Sequence, residues 1–125
     1  MKARVETQPS ETLARRIAAT ALDRKARDVV VLDMRGVVAY TDFLVIATGN
    51  TERQTQAIHD AVYRELKDAS TDGRRLPERV EGLPEARWIL MDYLDCVVHI
   101  FTPAARDYYR LETLWGEVPA LEVGG

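Results

Sequence analysis

Cysteine is nearly absent from this chain of 125 residues, whose only thiol is Cys96. A single cysteine excludes an internal disulfide and any zinc site that is built from several thiolates. Because Cys96 lies within an apolar run that is typical of a strand, we expect it to be a buried and unreactive thiol.

Long apolar runs and an excess of positive charge are also absent. No run approaches the roughly 20 apolar residues that cross a bilayer, and the N-terminus carries charges where a signal peptide has its apolar region. We therefore expect a cytoplasmic protein without membrane contact. A formal net charge of -3 disfavours direct nucleic-acid binding, so a ribonucleoprotein partner would be contacted through its protein.

The remaining composition is that of one globular domain. Hydrophobic residues make up 46% of the chain and charged residues 30%, and a chain of this length buries a single sizeable core. We expect residues 1–9 to form a flexible N-terminal arm, residues 10–116 to form the domain, and residues 117–125 to form a C-terminal tail.

Apolar spacing predicts three helices, at residues 10–27, 51–70 and 103–115. Runs of β-branched and aromatic residues predict strands at residues 28–34, 42–48, 76–80, 87–92 and 95–102. The charged strand at residues 76–80 is expected at an edge of the sheet. The order α-β-β-α-β-β-β-α predicts an α/β (α+β) fold in which helices flank a mixed sheet.

The junction at residues 49–51 allows two interpretations. In a capping box, the Thr51 hydroxyl accepts from a first-turn amide while Gln54 reaches back to the Thr51 N–H. Alternatively, the amides at this helix start would bind a phosphate. The segment Gly49-Asn50-Thr51 has neither the Gly-Lys-Ser/Thr of a Walker loop nor the Gly-x-Gly-x-x-Gly spacing of a dinucleotide site, so capping is favoured.

Three aspartates offer a route to catalysis. If Asp42, Asp92 and Asp95 converged on magnesium beside a phosphate at Gly49, the chain would be a magnesium-dependent nucleotidyltransferase. Asp92 and Asp95 are separated by a predicted tight turn at residues 93–94, where aspartates are common for backbone hydrogen bonding alone. We therefore expect no metal site and no cofactor, and we keep the transferase as the alternative function.

Aromatic residues and a histidine favour binding over catalysis. His99 is expected on the strand face opposite Val98 and Ile100, where it meets a polar partner or a second copy of the chain. Trp88 is suited equally to the core and to a binding hot spot. Helical spacing places most of the remaining aromatic and leucine residues of the last helix in the core; these are Tyr108, Tyr109, Leu111, Leu114 and Trp115.

Five segments match one protein family in the same order. They are residues 42–54 (DFLVIATGNTERQ), 81–82 (EG), 88–93 (WILMDY), 95–101 (DCVVHIF) and 108–115 (YYRLETLW). Over about residues 11–116 the chain resembles the ribosomal silencing factor family, also called Iojap-like proteins. It departs from the common pattern at Leu94, where many members have glycine.

The resemblance implies a nucleotidyltransferase-like fold that lacks the catalytic carboxylates, and therefore a protein that is not an enzyme. It implies binding to protein fourteen of the large ribosomal subunit, so that the small subunit cannot join and translation is repressed. The resemblance also implies a role in ribosome biogenesis, as for the plant and mitochondrial members of the family. A homodimer is implied for the free protein.

The resemblance also implies a partner-binding site. The predicted contact residues are Trp88, Ile89, Met91, Asp92 and Tyr93, together with the acidic residues Asp42, Glu81 and Asp95. The acidic side chains would meet basic residues of the ribosomal protein. Which face of the last two strands meets the partner depends on register, because a shift of one residue exchanges the two faces.

Overall fold

The computed structural model describes residues 9–68 and 74–123 of the chain. In chain order its elements are α1 (Pro9–Asp23), β1 (Arg27–Asp33), β2 (Phe43–Thr48), α2 (Glu52–Lys67), β3 (Arg79–Glu81), β4 (Trp88–Asp92), β5 (Cys96–Phe101), α3 (Pro103–Tyr109), a 3₁₀ helix (Leu111–Trp115) and β6 (Ala120–Leu121). Residues 1–8 of the predicted N-terminal arm and the predicted helix break at residues 71–73 lie outside the described residues, and Pro9, which was assigned to the arm, begins α1.

All of these strands belong to one sheet with the order β3-β4-β5-β2-β1-β6. The central strands β2 and β5 run parallel, and every other neighbouring pair runs antiparallel. Each central strand is a continuous apolar run whose six residues are all buried, as expected for strands covered on both faces. The predicted mixed sheet with flanking helices is confirmed, and β3 lies at an edge as expected.

Helices α1 and α2 cover one face of the sheet. Alternate residues of the strands pack against them, including Val45, Met91 and Val98, which are each 1% exposed or less. Fully burying such a side chain stabilises the fold by about 1.5–3 kcal/mol. Cys96 lies in the same core, so the expectation of a buried cysteine is confirmed, and burial raises the pKa of its thiol.

The start of α2 confirms half of the predicted capping box. The Thr51 hydroxyl accepts a hydrogen bond from the Gln54 backbone N–H at 3.1 Å. The reciprocal bond was predicted wrongly, because the Gln54 side-chain amide donates instead to the Arg24 carbonyl beyond the end of α1. That carbonyl comes close only through tertiary packing, which sequence spacing does not reveal.

The last predicted helix is shorter than expected. Helix α3 ends at Tyr109, Arg110 takes a left-handed conformation with φ 49°, and the chain continues as the 3₁₀ helix. Side-chain spacing alone does not separate the two helix types over so short a span. The predicted C-terminal tail contains β6, in which Ala120 and Leu121 pair with β1, a strand too short to leave a sequence pattern.

Candidate partner-binding face

The second face of the sheet is only partly covered. Over β5, β2 and β1 it packs against α3, the 3₁₀ helix and Val118, which shield a second apolar cluster. Toward the β3 edge this cover runs out, and alternate residues of β4 stay half-buried. We call the surface formed here the open face, and its residues are Arg79, Glu81, Trp88, Leu90 and Asp92.

Strand register brings the open face together. In the β3–β4 pair, Glu81 lies opposite Leu90 and Arg79 lies opposite Asp92, and directly opposed residues of antiparallel strands share one face. Arg79 approaches both acids, at 3.4 Å from Glu81 and 3.5 Å from Asp92. The open face therefore joins an aromatic ring and an aliphatic side chain to a small charged border that is net acidic.

Three predicted contact residues do not reach this surface. Ile89 and Met91 are fully buried against the helices, because β4 alternates and they occupy the face opposite Trp88. Tyr93 is 1% exposed and lies in the same core, where burial raises the pKa of its phenol. These three side chains are therefore not part of the open face, and their role as partner contacts stays a prediction.

The remaining predicted acids lie at one end of the sheet. The Asp42 backbone N–H donates to the Asp95 carbonyl at 3.0 Å, where β2 and β5 begin side by side. The Asp95 side chain is half exposed and lies 3.8 Å from the Arg75 guanidinium. Asp92, at the nearby end of β4, accepts from the Leu94 N–H at 2.9 Å. Asp42 and Asp95 therefore stay predicted contacts beside the open face.

The ring of Trp88 is held in place on the open face. Its indole nitrogen donates to Nδ1 of His99 at 3.0 Å, and its ring centroid lies 5.0 Å from that of Phe101. Burial lowers the pKa of His99 to about 4, so the imidazole is neutral near pH 7 and able to accept this bond. The predicted placement of His99 opposite Val98 and Ile100 is confirmed, and Trp88 is its polar partner.

Two tyrosines that were predicted to be in the core lie at the surface instead. Tyr108 is 79% exposed and Tyr109 is 51% exposed, and the Tyr109 ring lies 4.5 Å from Trp88. Leu114 is likewise exposed, whereas Leu111 and Trp115 pack against the second cluster. The sequence carries no clear signal for this exposure, because adjacent helical residues can both be buried, as Ile17 and Ala18 are in α1.

The parts of the alternative transferase site are far apart. Asp42 precedes β2 and Gly49 follows it, so the strand separates the proposed metal and phosphate sites by roughly 20 Å. A Cβ at Gly49 would lie 2.9 Å from the Thr55 nitrogen, so close packing on α2 accounts for this glycine. Within residues 9–68 and 74–123, no three His, Cys, Asp or Glu residues are grouped to hold a metal ion.

The family comparison agrees with the observed fold. The model of the family "Ribosomal silencing factor during starvation" matches residues 7–125. A Halalkalibacterium halodurans protein named ribosomal silencing factor RsfS is 44% identical over 103 residues, which cover 82% of this chain and 85% of that protein. A Bacillus subtilis protein of the same name is 41% identical over 109 residues, covering 86% of this chain and 89% of its own length.

A solved structure has the same fold. The crystal structure of a Chromobacterium violaceum protein aligns with a TM-score of 0.74 at 35% identity, covering 96% of this chain and 95% of the other. Among the helices that our structure describes, none is long and apolar enough to cross a membrane.

The match to the family model extends over nearly the whole chain, and the relatives share both sequence and fold. The chain therefore belongs to the ribosomal silencing factor family.

Proposed function

We propose that this chain binds the large ribosomal subunit through its protein fourteen and blocks joining of the small subunit. The observation that carries the proposal is the open face, where Trp88 is held at the surface of a member of this family. The described residues also offer no group of metal ligands. Steric exclusion represses translation without any covalent step, so the function that we propose is not that of an enzyme.

Trp88 is the proposed centre of the contact. Hot spots of protein interfaces are enriched in tryptophan and tyrosine, and a ring that is already fixed loses little freedom on binding. The hydrogen bond to His99 and the packing on Phe101 supply that order in the free protein. An interface of about 1,200–2,000 Å² around this ring would give stable binding.

The acids form the proposed rim. Glu81 lies opposite Leu90 on the open face, Asp92 lies at the end of β4 away from Trp88, and Asp42 and Asp95 lie at the adjoining end of the sheet. Rim acids raise the association rate toward a basic protein more than they raise affinity. We propose a cytoplasmic location, a homodimer in the absence of ribosomes, and no direct nucleic-acid contact.

Subunit sedimentation tests this proposal. Purified large and small subunits are mixed with the parent chain, and the fraction of joined ribosomes is measured by gradient centrifugation. We expect the parent chain to co-sediment with large subunits and to reduce joining. We expect Trp88→Ala and the charge reversal Glu81→Lys to weaken both effects.

The matched control is Arg64→Ala, which changes an exposed residue of α2 on the opposite side of the sheet. Circular dichroism establishes that each variant is folded. A folded Trp88→Ala variant that binds large subunits as tightly as the parent would remove Trp88 from the contact. A parent chain that leaves subunit joining unchanged would overturn the proposed function.

A further inference from the structure

An open notch lies beside Trp88, between β4, α3 and the loop that joins β3 to β4. Its volume is about 380 Å³, and it is lined by Glu85, Trp88, Ala104, Ala105, Tyr108 and Tyr109. We infer that this notch is an aromatic cage that takes one lysine or arginine side chain from a basic protein partner. The inference rests on the proposed function and adds to it the chemistry of the anchoring contact.

The three rings are arranged as walls and do not form a continuous stack. Tyr108 and Tyr109 meet edge to face at 90°, with their centroids 5.0 Å apart. Trp88 is tilted by 47° from Tyr109 at 4.5 Å. All three rings line the same notch, so a cation held there lies next to aromatic surface, which attracts it.

Small residues keep the space between the walls open. Ala104 and Ala105 of α3 line the notch, and Ala105 is itself buried against the second cluster. A longer side chain at position 104 would fill the volume that a lysine or arginine stem needs. The extended apolar stem of such a side chain packs well on alanine and aromatic surfaces while its charge stays near water.

The loop that carries Glu85 is fixed at several points. The Ala86 N–H donates to the Gly82 carbonyl at 2.9 Å, and the Thr55 hydroxyl donates to the Ala86 carbonyl at 2.6 Å. At Gly82, φ is +81° and a Cβ would lie 2.0 Å from the Trp88 carbonyl, so only glycine fits. The notch is therefore largely preformed, which lowers the entropy cost of binding.

Glu85 supplies the charge that favours a cation over an apolar side chain in the notch. Glu85 is exposed and makes no ion pair within the described ranges, so its carboxylate is available to a guest. Arg87 also lines the notch and is exposed, and its positive charge opposes a cationic guest. This opposition yields a specific expectation: removal of the Arg87 charge should tighten the binding of a cation and leave a neutral guest unaffected.

The cage is suited to an anchor within a larger interface. One cation on exposed rings changes affinity by a factor of about 2 to 30, which is too little to hold a free metabolite at low concentration. The notch is continuous with the open face through Trp88, so a partner that covers Trp88 also reaches Tyr108 and Tyr109. A basic protein surface supplies both the cation and the surrounding contacts.

A titration with small probes tests the cage without ribosomes. Nα-acetyl-arginine amide is added to the folded chain while the Trp88 indole N–H and the Tyr108 ring are followed by NMR. The neutral control is Nα-acetyl-norleucine amide. We expect saturable shifts with the cation at millimolar concentrations, at least fivefold weaker shifts with norleucine, and tighter cation binding by Arg87→Gln. Equal responses to both probes, or no response to either, would overturn the cage.

A second measurement uses large subunits. Fluorinated tryptophans placed at position 88 weaken the ring quadrupole with little change in shape, so affinity should fall stepwise with the number of fluorines if a cation lies on the ring. Tyr108→Phe should stay within about twofold of the parent, and Tyr108→Leu should bind about 3 to 10 times more weakly. A flat fluorine series would assign the notch to an apolar side chain and contradict the inference.

The two measurements separate two kinds of failure. If the parent chain does not bind large subunits but does bind the arginine probe, the proposed function is wrong and the cage stands. If large subunits bind but the probe and the fluorine series show no cation preference, the cage is wrong and the proposed function stands.

Discussion

Trp88 and His99 are diagonal neighbours across the β4–β5 pair, two residues apart in register, and are joined by an indole-to-imidazole hydrogen bond of 3.0 Å. Trp88 pairs with Phe101 and His99 with Leu90, so all four side chains share one face. Only a neutral imidazole offers an acceptor at Nδ1. The orientation of the most prominent ring on the open face therefore depends on the protonation state of a buried histidine.

We expect acid to destabilise the chain through His99. Burial lowers the pKa of His99 from its ordinary 6.5 to about 4 in the folded protein, so the unfolded chain binds a proton first as the pH falls. Stability should therefore decrease by about 2 kcal/mol between pH 7 and pH 5 from this group alone. Urea denaturation at both pH values measures the loss. His99→Gln should remove this component, and an unchanged pH profile in that variant would contradict the assignment.

Met91 should behave as a core residue and not as a contact residue. Because its side chain is fully buried against the helices, Met91→Ala should lower the free energy of unfolding by about 2–5 kcal/mol. The folded fraction should still bind large subunits with the parent affinity. Glu81→Lys serves as the comparison variant. We expect its stability to be close to that of the parent and its binding to large subunits to be weaker. Selective loss of binding in a fully stable Met91→Ala variant would return Met91 to the interface.

Replacing Leu94 by the glycine that many family members carry should make the folded chain more stable. It adopts a left-handed conformation with φ 73° in the turn between β4 and β5, and its side chain is 55% exposed. Relief of that backbone strain should outweigh the extra freedom of glycine in the unfolded chain, so Leu94→Gly should be more stable by about 1 kcal/mol. Thermal denaturation measures the difference. A destabilised Leu94→Gly would mean that side-chain contacts dominate at this turn.

Arg106 should be required for the ordered 3₁₀ helix. Its guanidinium donates to Thr48 Oγ1 at 2.8 Å, to Glu112 Oε2 at 3.0 Å, and to the Asp28 carbonyl. Arg106→Ala should lower the free energy of unfolding by about 3 kcal/mol, because it leaves partly buried acceptors without a donor. Exposed Arg53 on α2 provides the control in Arg53→Ala. Chemical denaturation compares the two variants, and equal small effects would contradict the proposed role.

Salt should slow association with large subunits more than it affects dissociation. Rim acids such as Glu81 and Asp92 act at long range before contact, and ions screen that attraction. Raising the salt concentration from about 0.05 to about 0.5 M should lower the association rate roughly tenfold and change the dissociation rate less than about twofold. Stopped-flow fluorescence measures both rates. Glu81→Gln should show a shallower dependence, and equal slopes would remove Glu81 from the rim.

Local sequence rules predicted most of the elements but not the face on which they are used. The apolar runs of β2 and β5 and the capping threonine at position 51 each depend on neighbouring residues alone, so these features could be predicted. Grouping Ile89 and Met91 with Trp88 failed because successive strand residues point to opposite faces. That alternation was visible in the sequence and separates Ile89 and Met91 from Trp88. It does not say which of the two faces the helices cover.

The sequence by itself determined every strand except β6, the helices α1 and α2, the buried thiol and the family, because these follow from periodicity and from ordered motifs. Only tertiary structure decided that Trp88 contacts His99, that Arg106 joins Thr48 to the 3₁₀ helix, and that Tyr108 and Tyr109 are left at the surface. Each of these outcomes depends on how separate elements pack against one another. Local propensity carries no information about such partners, since their energy exists only once the sheet has brought them together.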